Sequence, residues 1–178
     1  AALEAVLGAA RDAGLVVIAD AKRGDIGSTV AAYGEAWLTP GSPLEADAMT
    51  AVAYQGVGSL DDPIARARAH GKGLFVLAAT SNPQAAATQT AIVGRGAHDG
   101  STVAAGIVGE VGVLNRGDGL GSFGVVIGAT VALADYRIEP AWLGGMPVLA
   151  PGFGEQGGRL DQVRHLFGEA ADSVVANV

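Results

Sequence analysis

The chain has 178 residues, 49% of them hydrophobic, with 28 glycines, no cysteine and a formal net charge of -7. That length supports one substantial core and falls short of two ordinary domains. The acidic balance excludes nucleic acid or an anionic membrane as the main partner, since both need a basic face. The missing cysteines exclude a disulfide framework, a thiol nucleophile and a thiolate metal site. They also fit a reducing compartment, so the cytoplasm is the expected location. No charged start followed by an apolar stretch resembles a signal peptide, and no uninterrupted apolar run approaches about 20 residues.

In chain order, helix-like patterning over residues 1–13 leads into the apolar run 15–20, which reads as a buried strand. A helical pattern over 28–38 follows, then a strand over 46–54, a helix over 60–70 and a strand over 73–80. The second half repeats the alternation: helix 101–115, strand 124–130, a weaker helical segment 131–142, strand 147–151, helix 160–171 and strand 173–178. Six strands alternating with helices predict a parallel sheet with helical crossovers. Runs such as Leu74 to Ala79 lack polar alternation, as expected of strands covered on both faces. A doubly wound sheet and a (β/α)8 TIM barrel both fit. The chain opens without Met inside an Ala-rich helical pattern and closes on an apolar strand. Since a barrel takes about 250 residues, the expectation is a single, partial barrel domain over 1–178, lacking the first two strands and the C-terminal end.

Asp20-Ala-Lys22-Arg-Gly-Asp25 is the most informative stretch, because it sets a lysine between two carboxylates at the end of a strand. Strand side chains alternate, so Asp20 and Lys22 are expected on one face. Burying ionised groups costs several kcal/mol each unless they are paired, and such clusters mark chemistry. The same spacing also suits a structural ion pair with Asp25 as N-cap of the next helix.

Other motifs carry less. Gly119-Leu-Gly-Ser-Phe-Gly124 matches a dinucleotide fingerprint but precedes a strand instead of following one. Gly71-Lys-Gly73 lacks the spacing and the Ser/Thr of a P-loop and reads as a turn. His70, His98 and His165 have no second ligand at metal spacing, so surface or capping roles are expected. Ser81 lacks a nucleophile-elbow pattern and a nearby histidine. Pro151-Gly-Phe-Gly-Glu-Gln156-Gly157-Gly158 follows a short strand and leads into a helix, so its backbone amides are candidates to cradle a phosphate; a plain glycine turn is the alternative.

Asp20-Ala-Lys22-Arg-Gly-Asp25-Ile-Gly-Ser-Thr29 resembles the D-x-K-x-x-D-I-G-x-T signature of the orotidine 5'-monophosphate decarboxylase family. Leu77-Ala-Ala-Thr-Ser81-Asn-Pro83, Gly124-Val-Val-Ile-Gly-Ala-Thr130 and the loop from Pro151 to Gly158 extend the likeness, which is to the longer bacterial subgroup found in mycobacteria and their relatives. The resemblance implies decarboxylation of orotidine monophosphate to UMP, the last step of de novo pyrimidine nucleotide synthesis, with no metal or cofactor. It implies that Asp20 sits beside the substrate carboxylate and that Lys22 stabilises the carbanion at C6 and delivers the proton. It further implies a homodimer in which Asp25 and Thr29 complete the partner's site. Ser81 then binds the pyrimidine edge, Pro151 packs near the base, and Gln156 and Gly157 belong to the phosphate loop.

The family also uses an Asp after its first strand, a Lys after its second and an Arg after its last, and these are expected in segments beyond the two ends of this chain. The rival reading is a Mg-dependent keto-sugar-phosphate enzyme of related barrel type, which shares the D-x-K-x-x-D core. Ile26-Gly-Ser-Thr29 and Thr80-Ser-Asn-Pro83 favour the nucleotide enzyme. A non-catalytic, truncated barrel is the reading from outside enzymology.

Overall fold

The short apolar runs and period-3.6 patterns of the sequence become strands and helices in the computed structural model, which describes residues 2–115, 117 and 119–178. Ala1, the first residue of the expected opening helix, lies outside the described residues. The chain forms two compact units, one ending at Phe75 and the other starting at Val76. Both have α/β architecture with parallel strands, the class expected from the alternation.

The first unit contains α1 (Ala2–Asp12), β1 (Ile18–Arg23), α2 (Gly27–Leu38), β2 (Ala48–Ala51), α3 (Asp61–His70) and the start of β3 (Gly73–Ala79). β1 and β2 run parallel with α2 between them in sequence, a βαβ crossover. The apolar run that marks β1 in the sequence is not coextensive with the strand. Leu15 and Val16 are 61% and 82% exposed, and pairing starts only at Ile18. Val17 sets the register just before it. Its N–H donates to Asp47 Oδ2 at 2.8 Å, and its carbonyl accepts the N–H groups of Asp47 and Ala48. β2 is fully buried and shorter than the predicted 46–54.

Val30, Gly34 and Leu38 recur every fourth residue along α2 and form its buried stripe. Gly34 permits close approach of α3, because a Cβ there would lie 3.2 Å from Pro63 Cα and Arg66 Cδ. α3 carries Asp61 and Asp62 in its first turn and Arg68 and His70 in its last, matching the helix dipole. Gly71 ends it in the left-handed region at φ +63°, its N–H on the Ala67 carbonyl.

The second unit holds the rest of β3, then α4 (Ala86–Gln89), α5 (Val103–Gly112), β4 (Phe123–Ile127), β5 (Val148–Pro151), α6 (Val163–Phe167) and β6 (Val174–Asn177). β4, β5 and β6 pair in parallel and in chain order. All five residues of β4 are buried, as an unbroken apolar run requires. Thr102 starts α5: its Oγ1 accepts the Ala105 N–H at 3.1 Å and donates to the Tyr136 carbonyl at 2.5 Å.

Two expected helices are broken. Residues 131–142 form only the 3-10 turns Leu133–Tyr136 and Pro140–Leu143, because Arg137 turns left-handed at φ +54° and Pro140 has no N–H to extend a helix backwards. Residues 160–171 split into Leu160–Gln162, α6 and Gly168–Ser173, the last break falling at Gly168 (φ +57°). The short turn Pro83–Ala85 and α4 fall where the sequence reading assigns nothing. Among the described residues, no helix is long and apolar enough to cross a membrane.

Candidate active site

The C-terminal end of β1 departs from a regular ladder. Ala19 pairs with Met49 and Arg23 with Ala51, so β1 advances four residues where β2 advances two. Such bulges re-aim side chains and recur beside active sites. Lys22 lies in this bulge with φ +48°, in the left-handed region. For a residue with a Cβ that conformation costs on the order of 1–3 kcal/mol, and the surrounding structure must hold it. Asp20 and Lys22 do meet, by a hydrogen-bonded ion pair between Lys22 Nζ and Asp20 Oδ2. They meet through the bulge and not through the plain alternation expected from the sequence.

Thr50, on β2, completes this cluster. The Lys22 N–H donates to Thr50 Oγ1 at 2.9 Å, and the Thr50 hydroxyl donates to Asp20 Oδ1 at 2.9 Å. Both Asp20 oxygens are therefore engaged. Partial burial pushes the Asp20 carboxyl upward, but the hydrogen bonds from Lys22 and Thr50, with the charge of Lys22, outweigh it and hold the group below its ordinary value. Asp20 is thus a carboxylate at neutral pH. Each side chain of the pair is about half exposed, so the contact adds little to stability. Sequence reasoning missed Thr50; its only signal was one hydroxyl inside the apolar run Ala-Met-Thr-Ala.

Gly24 follows as the chain crosses over β2, where a Cβ would collide with the Val52 carbonyl oxygen. Arg23 places its guanidinium 5.7 Å from the Tyr33 ring centroid, a cation–π contact. Asp25 does not cap α2. Ile26 occupies the N-cap position, and the Asp25 Oδ1 accepts the Ile26 N–H at 2.8 Å. Thr29 lies exposed in the first turn of α2. Neither residue makes a hydrogen bond or ion pair to Asp20 or Lys22.

In the second unit, Ser81 is exposed just beyond β3. Its place is set by neighbours: the Gly128 N–H donates to the Ala79 carbonyl at 2.9 Å, and a Cβ on Gly128 would lie 3.1 Å from Ser81 N and Cβ. Gln89 braces Thr80 from both sides, accepting its N–H at 2.9 Å and donating to its Oγ1 at 3.0 Å. Pro151 ends β5 and accepts the Ala129 N–H at 2.8 Å.

The glycine loop beyond Pro151 folds on itself. The N–H of Gly158 donates to Gly152 O at 2.9 Å, that of Gly154 to Gly158 O at 3.0 Å and that of Gly157 to Gly154 O at 2.8 Å. These amides hold the turn, so the expected cradle of backbone N–H groups is largely committed internally. Gln156, exposed, extends its Oε1 over Gly152 and supplies a side-chain amide at the same loop. Gly158 has no space for a side chain, since a Cβ would lie 2.5 Å from Gly152 O and 2.9 Å from Ala129 Cβ.

Among the histidines, His98 packs on Gly106 and Gly109 of α5 with Nε2 3.7 Å from Glu110 Oε1, while His70 and His165 belong to α3 and α6. No group of three or more metal-capable His, Asp or Glu side chains gathers among the described residues.

Known proteins share this arrangement of sequence and fold. The chain is 50% identical over 172 residues to an orotidine 5'-phosphate decarboxylase of a Nocardioides species, covering 96% of this chain and 61% of that protein. It is 46% identical over 176 residues to the like-named protein of Salinispora tropica, covering 98% of this chain and again 61% of the relative. A Streptomyces avermitilis crystal structure, provisionally named an orotidine 5'-phosphate decarboxylase, superposes with a TM-score of 0.88 at 46% identity, over 99% of this chain and 60% of that one. The chain thus spans about three fifths of the length of the relatives it matches. The profile of one family matches residues 4–178, and the chain belongs to it, the orotidine 5'-phosphate decarboxylase / HUMPS family.

Proposed function

We propose that this chain forms the greater part of an orotidine 5'-phosphate decarboxylase, converting orotidine monophosphate to UMP and CO2. The observation that carries the reading is the Asp20/Lys22 pair, held by Thr50 in a bulge with Lys22 in a strained backbone conformation. Loss of CO2 leaves an electron pair at C6 of the pyrimidine. The Lys22 ammonium offsets that charge as it develops, then transfers a proton to C6 and regains one from solvent. Asp20, ionised at neutral pH, lies beside the departing carboxylate in this reading, and their repulsion is relieved as CO2 leaves. The step balances with the Lys22 proton delivered to C6 and one proton taken back from solvent.

The finer points belong to the same proposal. The alternation of parallel strands and helices supports a partial (β/α)8 barrel, with the remaining strands and the other charged residues supplied outside this chain. A homodimer is supported by Asp25 and Thr29, which make no hydrogen bond or ion pair with Asp20 or Lys22 and so are available to a second copy. Ser81, Pro151, Gln156 and Gly157 serve the base and the phosphate. A chain without cysteine fits the cytoplasm.

The test is loss of orotidine monophosphate absorbance, with EDTA present, for the full-length gene product and its Lys22→Ala variant. Turnover in the parent and a drop of about 10³-fold or more in the variant are expected, since proton donor and electrostatic stabiliser go together. Turnover only of a keto-sugar phosphate, and only with Mg2+, would replace this reading with its rival.

A further inference from the structure

We infer that Thr50 is a positioning residue for the Asp20/Lys22 pair, its one hydroxyl locking both the left-handed backbone of Lys22 and the orientation of the Asp20 carboxylate. Its effect on catalysis rests on the decarboxylase reading; its effect on geometry does not.

Within the bulge the Lys22 N–H donates to a side chain, Thr50 Oγ1, at 2.9 Å. Accepting there orients the hydroxyl, whose single proton is then committed to Asp20 Oδ1 at 2.9 Å. Asp20 Oδ2 faces Lys22 Nζ. The loop of contacts is closed: backbone of Lys22, Thr50, Asp20, and the tip of Lys22 again. Lys22 is fixed at both ends, and the carboxylate at both oxygens. Thr50 itself is 0% exposed on a strand whose other members, Ala48, Met49 and Ala51, are apolar and buried. Valine would fill the same volume with the same branched Cβ. A packing role alone therefore tolerates Thr50→Val, whereas positioning does not, because the Lys22 N–H is then left without its acceptor.

The test uses the full-length protein with Thr50→Val and Thr50→Ser, and three readouts: hydrogen exchange at the Lys22 amide, NMR titration of the Asp20 carboxyl, and kcat and KM for orotidine monophosphate. For Thr50→Val, exchange at Lys22 is expected to rise about tenfold or more, Asp20 to titrate higher than in the parent, and kcat to fall about tenfold or more with a smaller change in KM. Thr50→Ser, which keeps the hydroxyl, should restore all three. Should Thr50→Val fail to fold, Thr50→Ala is read by the same measurements. A folded Val or Ala variant with unchanged Lys22 protection and unchanged Asp20 titration overturns the inference, as does failure of Ser to restore them. If the parent does not turn over orotidine monophosphate, the decarboxylase reading falls, and exchange and titration still decide the role of Thr50.

Discussion

Lys72→Met should destabilise the protein at neutral pH without touching its chemistry. Lys72 is only 10% exposed, with Nζ 2.8 Å from Glu45 Oε1 and 3.5 Å from Asp47 Oδ1. Methionine keeps the stem and removes the cation. A charge-assisted hydrogen bond contributes about 1.5–3 kcal/mol, and breaking a fully buried pair costs about 3–5 kcal/mol. Here Glu45 retains the Gly41 N–H at 2.7 Å, so its charge is not left without a donor, and about 2 kcal/mol is expected. The hydrogen bond from Lys72, followed by that from Gly41, holds the Glu45 carboxyl below its ordinary value of 4.5. A carboxylate depressed in the folded state contributes stability that is present above its unfolded value and lost as pH falls through its folded value. The gap between parent and variant should be full at pH 7 and close below pH 4.5. Denaturant unfolding of both full-length proteins across that range measures it. Asp47 and Lys72 precede β2 and β3, at the opposite strand ends from Asp20 and Lys22, so kcat should be unchanged. An unchanged unfolding midpoint at pH 7, or a gap that persists at acid pH, would refute the reasoning.

Two further outcomes are expected. If Asp25 acts in the partner's site, mixing inactive Lys22→Ala and Asp25→Asn subunits should regain about a quarter of parental activity, because half of randomly formed dimers then carry one intact site; mixtures that stay inactive after verified subunit exchange would sink the dimer reading. Gly158→Ala drives a methyl against Gly152 O and Ala129 Cβ, so the loop must shift. Its cost should be about 1–3 kcal/mol, with KM for orotidine monophosphate raised about tenfold or more; a parental KM would show that this loop does not hold the phosphate.

Much of this was legible from local pattern. β4 reads as a buried strand because Phe-Gly-Val-Val-Ile is apolar throughout, and α3 announces its ends with Asp61, Asp62 and Gly71. Asp20 and Lys22 stand out because a lysine between two carboxylates closes an apolar run, although both side chains are about half exposed in the fold. The helix expected over 131–142 failed because its residues carry only weak helical periodicity, which the left-handed turn at Arg137 and Pro140 override.

Local chemistry could not reveal Thr50, 28 residues from Lys22, because the contact depends on which residue of β2 stands opposite a bulge. Nor could it show that Asp25 leaves the cap position to Ile26, or that the glycine loop uses its own amides. Short segments alone carry the class of fold and mark Asp20 and Lys22 as candidates, since apolar runs, helical period and residue type are local properties. Register, bulge and the closed hydrogen-bond circuit were decided only in the tertiary structure, because they join groups that become neighbours only when distant strands pair.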